Sequence, residues 1–327
     1  MHCELVVPAL FASREIPRLP ALELLVARGR ATHADAGSLE EWLAEAFSIE
    51  EQPLAAGALS VHATSEATDR DTSWSRADPV HLRFGAEGPM LVPATGMKIA
   101  KDEADRFLAS LNDHFGGRAS FVAPGTGEWC VRTSFQGEFA GAAPVDLAGQ
   151  AVDARLPGAR QAAFLNEIQM VLHDHPANRD REARGAPAVN SVWLWGSGKL
   201  PASAEGPWHS MTSNEPLAEG IAKLAGMRAR GLPANGAEWL ERAPEEGRHL
   251  VLLDQLRGAL TLGGAEAHAA LARDLDAGWF TPIMEALRAD RIGMVTLHVP
   301  EAGTSWETTR SDLRRFWRRV RPLAAMA

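Results

Sequence analysis

His173-Asp-His-Pro-Ala-Asn-Arg-Asp-Arg-Glu-Ala-Arg-Gly185 and, after a three-residue gap, Val189-Asn-Ser-Val-Trp-Leu-Trp-Gly-Ser-Gly-Lys-Leu-Pro201 hold the densest chemistry of the chain. Phe164, Leu165, Ile168, Val171 and Leu172 form a helical stripe that Pro176 is expected to stop, so the first segment reads as a helix end followed by a polar, arginine-rich loop. Guanidinium forks suit carboxylate and phosphate geometry. The second segment reads as a strand buried on both faces that runs into a Gly-x-Gly turn at Gly196-Ser197-Gly198, then Lys199. In open α/β sheets ligands bind where strands end, and glycines there let backbone N–H groups approach an anion. A tight turn without any ligand fits the same three residues, and the spacing matches neither a Walker loop nor a dinucleotide fingerprint.

Outward from this segment the pattern is strand, helix, strand. Glu4 to Leu10 suits a buried first strand, and Ser38-Leu39-Glu40-Glu41 is a capping box that opens a helix. Residues 62–79 are rich in Ser, Thr and Asp and read as a loop. Val80 to Phe84 alternates as a half-buried strand does, Ala104 to Phe115 recurs at helical spacing, and Trp129 to Phe135 is another strand candidate. Further on, a helix starts at Asn214-Glu215-Pro216, and strands are expected at His249 to Leu253 and Met294 to Val299. Between them a long helix carries Leu271 to Leu287, with a break at Gly278 or Pro282, and a helix from about Ser311 closes the order. Alternating strands and helices imply an α/β fold with mainly parallel pairing and helices on both faces.

Across 327 residues, 46% are hydrophobic and 23% charged, an ordinary balance for a globular chain with room for two domains. The net charge of −9 makes nucleic acid a poor partner. Two cysteines, Cys3 and Cys130, allow no disulfide framework and no all-cysteine zinc site, which fits a reducing, cytoplasmic setting. No signal peptide is expected from the opening residues, and no apolar run approaches the ~18 residues of a membrane-spanning helix, so no membrane partner is expected.

Taken in order, His175-Pro176, Asn178, Arg181, Gly185, Asn190, Trp193, Trp195-Gly196, Gly198 and Pro201 resemble a string found in archaeal-type cofactor-independent phosphoglycerate mutases. Arg76 to Phe84 with Gly88 to Asn112 is similar to the start of that family's inserted domain, and Glu219 to Met227 to the helix after its Gly-x-Gly loop. Arg76 to Arg83, Asn166 to Met170, Val189 to Gly196 and Asp312 to Arg319 are similar to a bacterial group of RpfE-type regulatory proteins. The resemblance implies an alkaline-phosphatase-like core, at 1–75 and 188–327, split by a smaller inserted α/β domain at 76–187. It also implies a site drawn from Asp78, His81, His175, Asn178, Arg181, Asn190, Trp195, Gly196 and Gly198, to which the turn read above adds Ser197 and Lys199, and a small phosphorylated or carboxylated metabolite as partner.

The family's chemistry uses two divalent metals and a transiently phosphorylated serine. Its first strand ends in an aspartate, whereas here Leu5-Val-Val-Pro-Ala-Leu10 follows Glu4 without a carboxylate. Where an Asp-His pair and an Asp-x-x-x-His pattern are expected, Leu297-His298 and Asp254-Gln-Leu-Arg-Gly258 stand. Only His298 and Asp254 could be ligands, and Arg257 adds positive charge beside the latter. The expectation is a degenerate mutase-like protein with no cofactor that binds a metabolite or a regulatory partner. The alternatives are an active enzyme needing manganese or magnesium, with ligands recruited from Asp71, Asp78, His81, His173 and His175, and a protein- or nucleic-acid-binding module. The last would use a C-terminal helix carrying Arg310, Arg314, Arg315, Arg318, Arg319 and Arg321, anchored by Phe316, Trp317 and Val320. For single residues both plain and functional uses stand: His175 either caps a helix or touches a ligand, Arg181 either binds an anion or faces solvent, and Trp193 and Trp195 either pack a core or line a cleft.

Overall fold

A computed structural model describes residues 1–65, 69–85, 88–133, 139, 141–148 and 159–325. Its strands, in chain order, are β1 (His2–Val6), β2 (Arg30–His33), β3 (Trp74–Gly85), β4 (Gly88–Pro93), β5 (Ala119–Val122), β6 (Cys130–Thr133), β7 (Ser191–Gly198), β8 (Ser210–Thr212), β9 (Arg228–Arg230), β10 (Arg248–Leu252), β11 (Met294–Val299) and β12 (Thr304–Thr309). The chain forms two compact units, one from Met1–Ser48 with Ala204–Ala327 and one from Ile49–Ser203, the second interrupting the first in sequence.

The first unit is built on a seven-stranded sheet ordered β2-β12-β11-β1-β10-β8-β9. The run from β11 to β9 is parallel, and β12 and β2 add antiparallel edges. Leu5, Val251, Leu297, Phe280 and Ile283 lie in its core. The capping box forms as expected: Ser38 accepts from the Glu41 amide and Glu41 accepts from the Ser38 amide, opening the helix Leu39–Ala46. The long late helical stretch spans Ala259–Leu275 with a non-helical kink at Gly264, loosens into a π turn at Asp276–Phe280 and resumes at Thr281–Arg288.

The second unit holds the sheet β4-β3-β6-β5, with β7 also paired to β3, over a core that includes Phe107, Trp129, Phe164 and Ile168. Here the expected boundaries shift. Segments 49–75 and 188–203 group with the second unit because β7 lies antiparallel to β3, not in a parallel sheet. The helix Ala56–Thr64 packs on both strands: a methyl added at Gly57 would come within 2.5 Å of the Ser75 backbone. The polar stretch expected to be loop through residue 79 already contains β3 from Trp74. The strand expected to end at Phe135 is seen as Cys130–Thr133; Phe135 lies outside the described residues.

Pro176 does not leave a loop behind it but begins a helix, Pro176–Ala183, because proline at the first helical position forfeits no bond and His175 caps the end by accepting from the Ala177 amide at 3.1 Å. The expected helix after Ser311 is only a 3-10 turn, Asp312–Arg314. Arg315 and Arg318 instead reach back to the carbonyls of Arg28 and Gly29, and Phe316 and Trp317, expected as apolar anchors, pack edge-on against each other and stay 81% and 67% exposed. No helix among the described residues is long and apolar enough to cross a membrane.

Candidate functional site

The singled-out string is woven into the second unit. Asn178 donates to the carbonyls of Leu172 and Val189 and accepts from the Val189 amide, tying the end of one helix to the lead-in of β7. Asn190 bridges both backbone groups of Leu82, and His81 bonds the Ala188 carbonyl. Arg181 is fully buried. It donates to the Met97 and Pro187 carbonyls and pairs with Glu103 at 2.9 Å, and Arg184 also binds Glu103. Burial alone would raise the Glu103 carboxyl, but the Ala100 amide and the two guanidiniums hold it below the usual range. Asp78 accepts from Arg76 at 2.9 Å and from the Trp195 indole at 2.7 Å, and Arg76 also reaches Ser60. His175, besides capping, bonds Ser110 at 3.0 Å and packs on Phe107.

The Gly-x-Gly turn is part of β7 itself. Gly196 has φ of +55°, and a methyl there would meet the Ala56 methyl at 2.6 Å; one at Gly198 would meet Ala55 at 2.7 Å. Both glycines therefore admit a helix against a strand. Ser197 bonds Ser75 and the Phe139 amide, whereas Lys199 points to solvent and makes a loose 3.5 Å pair with Asp71.

In the first unit three strand ends converge. The register sets Val6 beside both His298 and Leu252, so the residues after β1, β10 and β11 share the carboxyl edge of the parallel sheet. These are the three places where the mutase ligands are expected, and the donors there are Asp254 and His298, with Val7 and Pro8 between. Both ring nitrogens of His298 are engaged, Nδ1 with Ser305 at 2.8 Å and Nε2 donating to Glu4 at 3.2 Å, and Trp42 packs on the ring. Among the described residues no group of three or more His, Cys, Asp or Glu side chains is placed to hold a metal ion. The donor set thus does not fit a two-metal centre.

Glu4, which the pattern of the sequence hid, is the best-fixed carboxylate of this sheet. It is 1% exposed, accepts from Arg248 at 2.7 Å and from His298, and lies 3.5 Å from His2. Burial would raise it, yet these partners hold it down to about 2. Asp254 shows the opposite. Burial and the neighbouring charge of Glu215 push it up to about 6 against the pull of Arg257, which itself pairs with Glu40 at 3.1 Å. Glu219 is raised too, by burial and by Glu215.

Two cavities flank this sheet. One of about 550 Å³ is lined by His298, Trp42, Asp35, Glu41 and Glu45 and is acidic. The other, about 560 Å³, lies beside β8 and β9 and is lined by Ser210, Thr212, Arg230, Trp239 and Arg242. Both are of the size that takes a small molecule. The second was missed because Arg230 and Arg242 lie outside any recognisable string.

No protein-family model matches the chain. It is 38% identical over 93 residues to a probable 2,3-bisphosphoglycerate-independent phosphoglycerate mutase of Geobacter sulfurreducens, covering 26% of this chain and 23% of the relative. The corresponding mutase of Methanosarcina mazei is 36% identical over 62 residues, 18% and 16% of the two chains, and that of Methanothrix thermoacetophila 30% over 99 residues, 28% and 25%. The chain therefore matches a quarter or less of the length of these curated relatives. In three dimensions it is similar to the PH0037 protein from Pyrococcus horikoshii, with a TM-score of 0.57 and 14% identity over 94% of this chain and 87% of that one, which shows the α/β fold.

Proposed function

We propose that this chain is a phosphoglycerate mutase-like protein without two-metal phosphoryl transfer, which binds a phosphorylated or carboxylated metabolite and serves, like the RpfE-type proteins whose strings it resembles in sequence, in a regulatory role. One observation carries the reading. The three strand ends expected to hold the metals do lie side by side, and they present one carboxylate and one imidazole whose two nitrogens are already bonded. A site that must clamp both the attacking and the leaving oxygen cannot be assembled from that set. The partial sequence likeness to the mutases supports the fold and the ligand class.

The test is turnover and metal content together. Purified protein is expected to hold far less than one equivalent of manganese, zinc or magnesium and to leave 3-phosphoglycerate unchanged with manganese added. Manganese-dependent conversion to 2-phosphoglycerate, or release of phosphate, would make the chain an active metal-dependent mutase or phosphatase and overturn the reading.

A second reading, docking of an acidic protein surface, is favoured by one feature. Between Arg314 and Arg321 five arginines and no acid surround the exposed Phe316 and Trp317. Such residues are enriched at interface centres, and the charge calls for an acidic complement. Salt-sensitive retention on immobilised poly-glutamate, lost when Arg314, Arg319 and Arg321 become serine, is the expected result; retention on single-stranded DNA instead would reassign the surface.

A further inference from the structure

The cavity beside β8 and β9 has a donor and acceptor pattern that selects its ligand. Ser210 and Thr212 are two apart on β8 and so share a face. His249 is fully buried, and its Nε2 lies 2.8 Å from the Glu246 carbonyl, which can only accept. In the neutral ring the proton is therefore on Nε2, and Nδ1, 2.8 Å from the Ser210 oxygen, accepts a hydrogen bond donated by that hydroxyl. Burial above all lowers His249 below its usual value, in keeping with a neutral ring. Ser210 consequently offers the cavity an oxygen acceptor.

Thr212 is arranged the other way. Its oxygen accepts from the Trp239 indole at 3.2 Å, which leaves its own proton to donate. The remaining donors are cationic. Arg230 spends Nη1 on the Arg242 carbonyl, and among the described residues no partner is found for its Nε and Nη2. Arg242 pairs by one nitrogen with Glu238, which leaves the cavity one net positive charge from these three groups. Pro233, Pro244 and Trp239 supply apolar wall.

We propose that this cavity binds a small hydroxylated oxyanion: the two guanidiniums and the Thr212 hydroxyl take a phosphate ester or carboxylate group, and the Ser210 oxygen takes a ligand hydroxyl. This deepens the preceding reading and shares with it the ligand class, but names a site away from the three strand ends. Guanidiniums recognise both phosphate and carboxylate, so the experiment separates them.

Calorimetric titration of the full chain at constant ionic strength uses four probes: inorganic phosphate, glycerol 3-phosphate, glycerate and glycerol. Saturable binding of glycerol 3-phosphate or glycerate is expected, tighter than that of phosphate because of the hydroxyl contact, with none for glycerol. Stronger binding of glycerol 3-phosphate than of glycerate assigns the phosphate ester, and the reverse assigns the carboxylate. Arg230→Gln and Arg242→Gln are each expected to weaken binding at least tenfold. Arg30→Gln, on β2 at the opposite edge of the sheet, is expected to leave it unchanged. Circular dichroism without ligand checks folding; should Arg230→Gln fail to fold, Thr212→Val and Arg242→Gln carry the test. No saturable binding of any anion to the native chain, or equal binding in the arginine variants, overturns the proposal. Neither result depends on turnover. Manganese-dependent conversion of phosphoglycerate sinks the preceding reading instead, and leaves the cavity to be judged by its own variants.

Discussion

Glu103, fully buried, and Asp254, half-buried, are carboxylates of different units, and they are treated in opposite ways. Around Glu103 the fold places Arg181, Arg184 and an amide, so the carboxylate stays ionised below its usual range. Around Asp254 burial and then the charge of Glu215 outweigh the pull of Arg257, and the carboxyl is pushed up to about 6. The second unit closes its buried polar network upon itself, as Asn178, Asn190, Asp78 and Trp195 also show. The first keeps strained titratable groups at the carboxyl edge of a parallel sheet, where α/β proteins put their chemistry. Resemblance to a catalytic family is thus densest where the residues hold the scaffold.

The comparison breaks most readily at Arg181. Replacing it by methionine leaves Glu103 buried beside a single, half-exposed arginine, and a loss of about 3–5 kcal/mol is expected from breaking such a pair. Urea unfolding measures it. A cost below about 1 kcal/mol would mean that the pair is not what holds this unit together, and Arg181 would return as a ligand candidate.

The next largest effect has the opposite sign. A carboxyl whose folded value is raised from 3.8 to about 6 weakens the fold when ionised, by roughly 3 kcal/mol above pH 6, and by nothing below about pH 4, where both states are protonated. Asp254→Asn should therefore raise stability at pH 8 by up to about that amount, with the gain fading as pH falls from 6 to 4. Unfolding midpoints across this range read it directly. A variant less stable than the native chain at pH 8 would show that the carboxylate is held by a cation, and the contrast with Glu103 would vanish.

Much of the frame could be read from local pattern because local pattern causes it. The Ser38 capping box, the strand Met294–Val299 and the helix break near Gly278 depend on neighbours within a few residues. Glu4 could not be read, since its partners Arg248 and His298 lie 244 and 294 positions away and only the parallel register joins them. The helix Ala159–His173 does stop short of Pro176, but the pattern does not show that proline also starts a helix well, and the second helix depends on the His175 cap. The C-terminal arginines have helical spacing, yet Arg315 and Arg318 bond the distant carbonyls of Arg28 and Gly29, which no local pattern announces.

A smaller effect sharpens the contrast inside the Gly-x-Gly segment. Gly196→Ala forces a side chain into a left-handed backbone and against Ala56, and a loss of about 2 kcal/mol is expected. The test is whether anion binding at the cavity of Arg230 and Arg242 survives in the variant that still folds at low temperature. If Gly196 only admits the helix, affinity per folded molecule stays the same while the melting temperature drops.

Lys199 marks the lower bound. Its pair with Asp71 is loose, at 3.5 Å, and the two side chains are 60% and 96% exposed, so water and salt screen most of the attraction. Lys199→Ala should move stability by less than about 0.5 kcal/mol. It should leave the calorimetric affinity for glycerol 3-phosphate unchanged, since Lys199 does not line that cavity. A clear drop in affinity with stability intact would place an anion at the end of β7 after all. The scaffold segment would then have a solvent-facing function that its buried bonds do not reveal.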